Sequence, residues 1–245
     1  MMSAVLDTIE AQSRELFPNG EAILAAVSGG VDSMVLLHSL HHLAEQFNWR
    51  LVVAHFNHRL RGNASIADQR LVEKSARQLR LACLTGHWKK DQNLIKKHGL
   101  EMAAPQARHE FLAQAAKKHG CGIIVTAHHL DDQAETFLWR LMRGAGGKGL
   151  GGMNAHDRFP DHPNLTVARP FLQTPKRDLR QFAESEDIQF REDASNDDSQ
   201  HLRNRIRHRL LPELRRHFHP EIDRAILQSQ GLVRADADFA RAAAQ

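Results

Sequence analysis

The stretch that decides the fold is Ala22-Ile23-Leu24-Ala25-Ala26-Val27-Ser28-Gly29-Gly30-Val31-Asp32-Ser33. Its first half, residues 22–27, is a short apolar run, which is typical of a strand buried inside a sheet. After the glycines, apolar residues recur with helical spacing from Met34 to Leu43. A strand, a glycine turn and a helix in this order predict the first half of a βαβ unit.

The same alternation of short apolar runs and helix-period segments continues along the chain. Three further runs predict strands, at residues 51–56, 81–84 and 122–126. We therefore predict an α/β fold with a Rossmann-like, doubly wound parallel sheet. Val167-Ala168-Arg169-Pro170 is interpreted as an additional edge strand.

The composition of the sequence changes after the fourth apolar run. Six glycines lie among the nine residues from Gly144 to Gly152, which predicts a flexible loop. Toward the end of the chain, a stretch rich in Asp, Asn and Arg precedes a basic helix at 202–217. We expect a sheet domain over residues 1–190 and a basic helical extension over 191–245.

Composition limits the class of protein. With 245 residues, 42% of them hydrophobic, the chain can bury an ordinary core. It has no apolar run of about 18 residues and no signal-like N-terminus, which predicts a cytoplasmic protein without a membrane partner. The two cysteines, Cys83 and Cys121, form no disulfide framework. The pI near 9.3 indicates either a polyanionic partner or simply a basic soluble protein.

The glycine turn carries the clearest chemistry. Two glycines let the backbone approach a ligand closely, and we expect the hydroxyls of Ser28 and Ser33 to face an anion together with the first N–H groups of the helix. The turn has no lysine, so it does not match the Walker pattern. The alternative is an ordinary glycine turn that caps a helix.

A second polar cluster follows the fourth strand, in Thr126-Ala127-His128-His129-Leu130-Asp131-Asp132-Gln133-Ala134-Glu135-Thr136. On one helix, His128, Asp132 and Glu135 would project from one side. Such a group could bind Mg²⁺, bind a cationic substrate, or neutralise phosphate charge through the histidine. Alternatively, the carboxylates only complement the positive end of a helix dipole.

The segment Ser28 to Ser33 resembles the pyrophosphate-binding loop of N-type ATP pyrophosphatases, the PP-loop superfamily. Five further stretches carry a resemblance, at 55–62, 99–109, 143–144, 192–198 and 203–207. With them, the chain between Ala22 and Leu214 is similar to the tRNA(Ile)-lysidine synthetase family. The resemblance implies a catalytic domain like the adenine nucleotide alpha hydrolases, without the C-terminal tRNA-binding domains that many members carry. Residues 191–245 are then interpreted as the start of a linker to such a domain.

The resemblance also implies an activity. ATP would adenylate carbon 2 of the wobble cytosine in an isoleucine tRNA with a CAU anticodon. L-lysine would then displace AMP to leave lysidine, which is a carbon–nitrogen ligation. ATP and Mg²⁺ are the implied cofactors, tRNA and L-lysine are the implied partners, and a homodimer is an arrangement that the resemblance allows.

Residue roles follow from the same resemblance. The residues assigned to ATP binding are Ser28, Gly29, Gly30, Val31, Asp32, Ser33, Phe56, Arg108 and His128. The residues assigned to catalysis are Asp32, Arg108, His128 and Asp132, with Asp32 as the Mg²⁺ ligand. Asp132 and Glu135 are assigned to the lysine ammonium. The tRNA is assigned to Lys148, Arg203, Arg205 and Arg207, the last three of which lie in a basic segment that also contains Arg209, Arg215 and Arg216.

Two departures from the family pattern keep alternatives open. Pro105 stands where the family usually shows an arginine, and His109 replaces a common tyrosine. Because proline disrupts a helix interior, we expect the helix to start near Ala104 or to kink there. One alternative function is tRNA 2-thiolation, which would need reactive cysteines. The other is a tRNA-binding homologue without catalysis.

Overall fold

The structure, a computed structural model, describes residues 4–59, 62–89, 100–192 and 202–243. The chain forms two compact units. The first unit comprises Met1–Ala127, Ala155–Pro170 and Arg177–Glu192, and the second comprises His128–Asn154, Phe171–Lys176 and Asp193–Gln245. The predicted division at residue 190 differs, because residues 128–154 group with the C-terminal helices.

The first unit contains one six-stranded sheet in the order β3-β2-β1-β4-β6-β5. The strands are β1 (Ala22–Ala26), β2 (Arg50–Asn57), β3 (Ala82–His87), β4 (Ile123–Val125), β5 (His156–Phe159) and β6 (His162–Ala168). Every neighbouring pair is parallel except β5 and β6. Apolar runs at 22–27, 51–56, 81–84 and 122–126 therefore predicted four of the six strands.

Helices cover both faces of this sheet. The helices of this unit are α1 (Ala4–Leu16), α2 (Val31–Ala44), α3 (Asn63–Gln78), α4 (Leu100–Lys118) and α6 (Lys176–Ser185). Of these, α2, α3 and α4 contact the strands. The order of the strands takes the chain from β1 outward through β2 to β3, and then back past β1 to β4. Because parallel crossovers are right-handed, this reversal puts α4 on the opposite face from α2 and α3. The doubly wound fold predicted from the sequence is confirmed.

The core under α4 explains why its position is fixed. Leu112 and Ala116 of this helix are buried in one cluster with Leu24, Val52 and Ile124, which come from β1, β2 and β4. Burial of each large apolar side chain contributes about 1.5–3 kcal/mol relative to exposure. The helix is therefore held across the middle of the sheet.

Two local predictions were wrong. Val167 and Ala168 lie in β6, which is paired on both sides, and the edge strand is β5. The sequence of β5, His-Asp-Arg-Phe, carries no apolar run that would reveal it. Pro105 lies inside α4, which extends from Leu100 to Lys118, so the predicted helix start near Ala104 is wrong. The exposed ring of Pro105 is tolerated while the buried residues beside it hold the helix.

The second unit is helical. It contains α5 (Leu130–Met142), a 3-10 turn (Gly147–Leu150), α7 (Leu202–Arg205), a π-turn (Ile206–Leu210), α8 (Leu211–His217) and α9 (Ile222–Ala243). Ala134, Ile206, Leu211 and Ile226 form its buried centre. The predicted helix at 202–217 is present, interrupted by the π-turn just before Pro212, whose nitrogen cannot donate to the carbonyl four residues earlier.

Parts of three motif stretches, residues 60–61, 99 and 193–198, lie outside the described residues. Within the described ranges, no helix is long and apolar enough to cross a bilayer.

The glycine-rich loop is held by side chains of the second unit. Gln133 makes two hydrogen bonds with the backbone of Met153, at 2.7 and 2.8 Å. Arg140 donates to the carbonyl oxygen of Gly149 at 2.9 Å, and Arg234 donates to that of Gly151. Side chains outside the glycine run thus bind the second half of the loop, and the flexibility of the loop stays a prediction.

A substitution at Gly152 tests whether the loop is anchored. Its φ is +71°, and a Cβ there would lie 2.7 Å from Gln230 and 2.8 Å from Gln133. We expect Gly152→Ala to lower the free energy of unfolding by about 1–3 kcal/mol, measured by urea or thermal unfolding. The matched control is Gly146→Ala, because a Cβ at Gly146 meets no atom within 4 Å. Equal stability of the two variants would contradict the anchored loop.

Candidate active site

The loop from Ser28 to Ser33 is organised by one hydroxyl. Ser33 Oγ accepts hydrogen bonds from the backbone N–H groups of Ser28, at 3.1 Å, and Gly29, at 3.2 Å. It also donates to the carbonyl oxygen of Gly30 and lies 3.0 Å from Ser28 Oγ. Ser33 was expected to face an anion, but its buried hydroxyl instead shapes the loop. The Ser28 side chain is exposed and remains available to a ligand.

The start of α2 presents the backbone to a ligand. Its N-cap is Gly30, which has no side chain to bond the first N–H groups. Gly29 has φ +99°, a conformation that glycine adopts without strain. Uncapped N–H groups at the positive end of a helix dipole form an anion site.

Asp68 and Arg191 hold Gly29 in place. Neither residue was identified from the sequence as part of the site. The backbone N–H of Arg191 donates to the Gly29 carbonyl at 3.0 Å, and Arg191 Nε donates to Asp68 Oδ1 at 2.8 Å. A Cβ on Gly29 would lie 3.4 Å from Asp68. The clamp joins residues more than 100 positions apart, so no local motif signals it.

The strand beside the loop is fixed by a neutral histidine. His55 Nδ1 donates to the carbonyl of Val27 at 2.8 Å, since a carbonyl can only accept. Burial lowers the pKa of His55, although the bond to Val27 partly opposes this. The imidazole therefore carries no charge at neutral pH and ties β2 to the residue just before the loop.

Phe56 lies in β2 and Arg108 lies in α4, and these two elements meet at one buried cluster. Phe56 packs against a buried cluster formed by Trp88, Ala103 and Ala104, and so does Ala107, the residue that precedes Arg108. A cleft of about 710 Å³ has Phe56, Trp88 and Phe111 among its lining residues, whereas Arg108 is not one of them. Aromatic walls of this kind suit a flat ring.

Arg108 is a half-buried cation in α4. Burial lowers the pKa of its guanidinium, which nevertheless stays charged at neutral pH. It makes no hydrogen bond or ion pair with any of the described residues. A partly buried charge without a carboxylate partner favours an anionic ligand.

Asp32 lies in the first turn of α2 and is partly exposed. No group of three or more His, Cys, Asp or Glu side chains in the described ranges could hold a metal by itself. Mg²⁺ commonly uses one or two carboxylates together with phosphate and water oxygens. The position of Asp32 beside the anion site fits that mode of binding.

In the second unit, Asp132 caps α5. Its Oδ2 accepts the backbone N–H of His129 at 3.1 Å. Burial opposes ionisation of Asp132, but His129, His128 and Arg203 outweigh it and hold the pKa of the carboxyl below its ordinary value. Asp132 is therefore a carboxylate at neutral pH, and half-buried His128 lies close enough to influence it.

Glu135 is bound by two arginines. Arg207 approaches it in a bidentate manner, with Nε 2.5 Å from Oε1 and Nη2 2.9 Å from Oε2. Arg203 Nε adds a bond of 3.1 Å to Oε2. Asp132 Oδ1 lies 3.3 Å from Arg207 and 3.5 Å from Arg203. These four side chains are called the charge cluster below.

The structure divides the basic segment into two sets. Arg203, Arg207 and Arg215 bind carboxylates, Arg215 through Asp131 and Asp223. The other set is exposed and has no ion pair within the described part of the chain: Arg205, Arg209 and Arg216. Arg203 and Arg207 were predicted to contact RNA phosphate, but their guanidinium groups face acidic residues of α5. The side chain of Lys148 lies outside the described residues.

Curated relatives are similar in sequence to most of this chain. The tRNA(Ile)-lysidine synthase of Geobacter sulfurreducens is 40% identical over 218 residues, covering 88% of this chain and 45% of that protein. Proteins of the same name from Synechocystis sp. and Nostoc sp. are each 34% identical and cover 90% and 96% of this chain. The chain spans 66% of the length of each of these two. The predicted resemblance to this family is confirmed.

A solved structure shares the fold. The U34-tRNA thiolase NcsA from Methanococcus maripaludis, solved with its 4Fe-4S cluster, matches with a TM-score of 0.74. It is 18% identical, and the match covers 94% of this chain and 79% of the thiolase. At this identity the likeness concerns the fold alone. A family model described as a PP-loop domain matches residues 5–214, and the chain therefore belongs to the PP-loop family.

Proposed function

We propose that this chain catalyses the ATP-dependent joining of L-lysine to the wobble cytidine of an isoleucine tRNA. The observation that carries the proposal is the uncapped anion site at the start of α2, clamped by Arg191 and Asp68. The names of the relatives supply the substrate class. The CAU anticodon and a homodimer remain predictions.

Membership of the PP-loop family implies ATP use. In the proposed first step, oxygen 2 of the cytosine attacks the α-phosphorus and pyrophosphate leaves. The N–H groups of Gly30 to Ser33, the Ser28 hydroxyl and the Arg108 guanidinium would stabilise the phosphate charge. Asp32 would hold Mg²⁺, which supplies charge neutralisation to the phosphates. His128 is assigned to phosphate charge as well.

In the proposed second step, the lysine amine attacks carbon 2, loses a proton and expels AMP. A carboxylate that is ionised at neutral pH can hold the incoming ammonium before this step. Asp132 and Glu135 are both assigned to this ammonium, and Asp132 has the less engaged oxygen, because both oxygens of Glu135 also accept bonds from Arg207. Asp132 Oδ1 makes only the longer contacts described above.

We assign the binding of RNA phosphates to Arg205, Arg209 and Arg216. These side chains are exposed and make no ion pair in the described ranges, so each can neutralise a phosphate without losing a carboxylate. The assignment of Lys148 to RNA remains a prediction.

The chemistry of the cysteines disfavours the alternative of tRNA thiolation. Cys83 lies in β3 and Cys121 just before β4, and two strands separate β3 from β4. At about 4.8 Å per strand, the two thiols are at least about 14 Å apart. Burial raises the pKa of Cys83 to about 11 and also raises that of Cys121, so neither is a thiolate at neutral pH.

The direct test is release of AMP and pyrophosphate from ATP by the purified chain. We expect release that requires both L-lysine and an isoleucine tRNA transcript, with lysine incorporated into the RNA. Binding of tRNA without release would favour the non-catalytic homologue. Release with a sulfur donor in place of lysine would favour thiolation.

The first prediction concerns Asp32. Asp32→Asn should reduce adenylate formation from labelled ATP by about 100-fold or more, because the metal contribution is lost. The melting temperature should change little, since a contact with the helix dipole contributes about 0.3–1 kcal/mol. The matched control is Glu45→Gln at the far end of α2. Normal adenylation, or a large fall in stability, would favour the helix-capping alternative.

The second prediction concerns the amine. Asp132→Asn should raise the KM for lysine by about tenfold to a hundredfold, the effect of losing a charge-assisted hydrogen bond. Formation of the adenylate without lysine should change little. Asp131→Asn is the control, because Asp131 binds Arg215 at the same end of α5. Equal losses in both half-reactions would move Asp132 to the ATP site.

The third prediction concerns RNA. Replacing Arg205, Arg209 and Arg216 together by Gln should flatten the log–log salt dependence of tRNA binding by roughly 2–3 units. The affinity should fall for all tRNAs alike, because phosphate contacts carry no sequence information. The matched control removes three exposed cations of α3, at Arg70, Lys74 and Arg77. A slope unchanged by the first substitution would place the RNA elsewhere.

A further inference from the structure

We propose that Arg203 is an exchangeable stand-in for the amine substrate: its guanidinium occupies the ammonium position between Asp132 and Glu135, and lysine must displace it. The inference rests on the proposed function, because it takes Asp132 as the ammonium ligand. It goes further by naming a residue that sets the affinity for lysine.

The acceptor atoms of the charge cluster are already in use. Glu135 Oε2 accepts from both Arg207 Nη2 and Arg203 Nε, and Asp132 Oδ2 accepts the N–H of His129. Asp132 Oδ1 and Glu135 Oε2 are the two oxygens that Arg203 approaches. An ammonium placed between the two carboxylates would need those same oxygens.

The charge balance of the cluster indicates that the lysine ammonium replaces one arginine. Two carboxylates and two guanidinium groups sum to zero, and the Glu135 side chain is only 2% exposed. Adding an ammonium while both arginines stay would leave an uncompensated positive charge near buried groups, which is costly. Replacing one arginine by the ammonium keeps the net charge at zero.

The structure also indicates which arginine leaves. Arg207 is 28% exposed and makes a bidentate contact with Glu135, the strongest geometry for this kind of pair. Arg203 is 49% exposed and makes one bond of ordinary length. Because Arg203 already lies half in solvent, it can return to water at a smaller cost than Arg207.

Removing the stand-in should therefore improve lysine binding. We expect Arg203→Gln to tighten the Kd for L-lysine by about threefold to fivefold, the range typical of a partly exposed ion pair. A gain in affinity is informative because general destabilisation of the site would produce a loss. A residue that merely supports the carboxylates would also produce a loss when removed.

The experiment is isothermal titration of the full chain with L-lysine, for the wild type, Arg203→Gln and two controls. Arg224→Gln removes an exposed arginine of the same unit that pairs with Glu221, outside the cluster, and should leave the Kd unchanged. L-norleucine has the same four-carbon side chain without the terminal ammonium. Its binding should not tighten in Arg203→Gln.

The outcomes separate the two proposals. If Asp132→Asn weakens lysine binding and Arg203→Gln tightens it, the stand-in is supported. If Asp132→Asn weakens binding but Arg203→Gln leaves it unchanged or weaker, the stand-in is wrong while the amine site stands. If Asp132→Asn has no effect, or neither the wild type nor Arg203→Gln binds lysine, the amine site is wrong and the stand-in falls with it.

Discussion

The parallel pairing of β1 with two neighbours is the constraint on which the nucleotide site depends. Leu24 is in register with Val52 of β2 on one side and with Ile124 of β4 on the other. The ladder continues one residue past the strand, where the Val27 N–H donates to Ala54. Because His55 also binds the Val27 carbonyl, the point at which the chain leaves the sheet is fixed from both directions. The loop that follows begins at the reversal of strand order, where open α/β sheets bind ligands.

Features encoded by neighbouring residues could be predicted from the sequence. The apolar run before Ser28 and the helical spacing after Ser33 predicted a strand, a loop and a helix, and the structure contains all three. Pro105 shows where such reasoning fails. Its propensity argues against a helix interior, but Ala103 and Ala104 pack into a cluster with Phe56 and Trp88, and this packing overrides the propensity.

Contacts between distant residues could not be predicted. Nothing near Asp68 indicates that it binds Arg191, 123 positions away, or that the Arg191 N–H donates to the Gly29 carbonyl. The roles of the arginines were hidden for a related reason. A sequence shows the number of positive charges in a helix, but only tertiary structure shows which of them face carboxylates. Arg203 and Arg207 face Glu135, whereas Arg205 lies on the exposed side.

The π-turn at Ile206–Leu210 has a consequence for how this segment can change in length. A regular α-helix turns about 100° per residue, so the 12 steps from Arg203 to Arg215 would place the two side chains about 120° apart. The π-turn takes up one residue without advancing the helix, which reduces this angle to about 20°. Both arginines can thus reach carboxylates of α5. A regular α-helix with one residue fewer between Arg203 and Arg215 would give the same angle of about 20° between the two side chains.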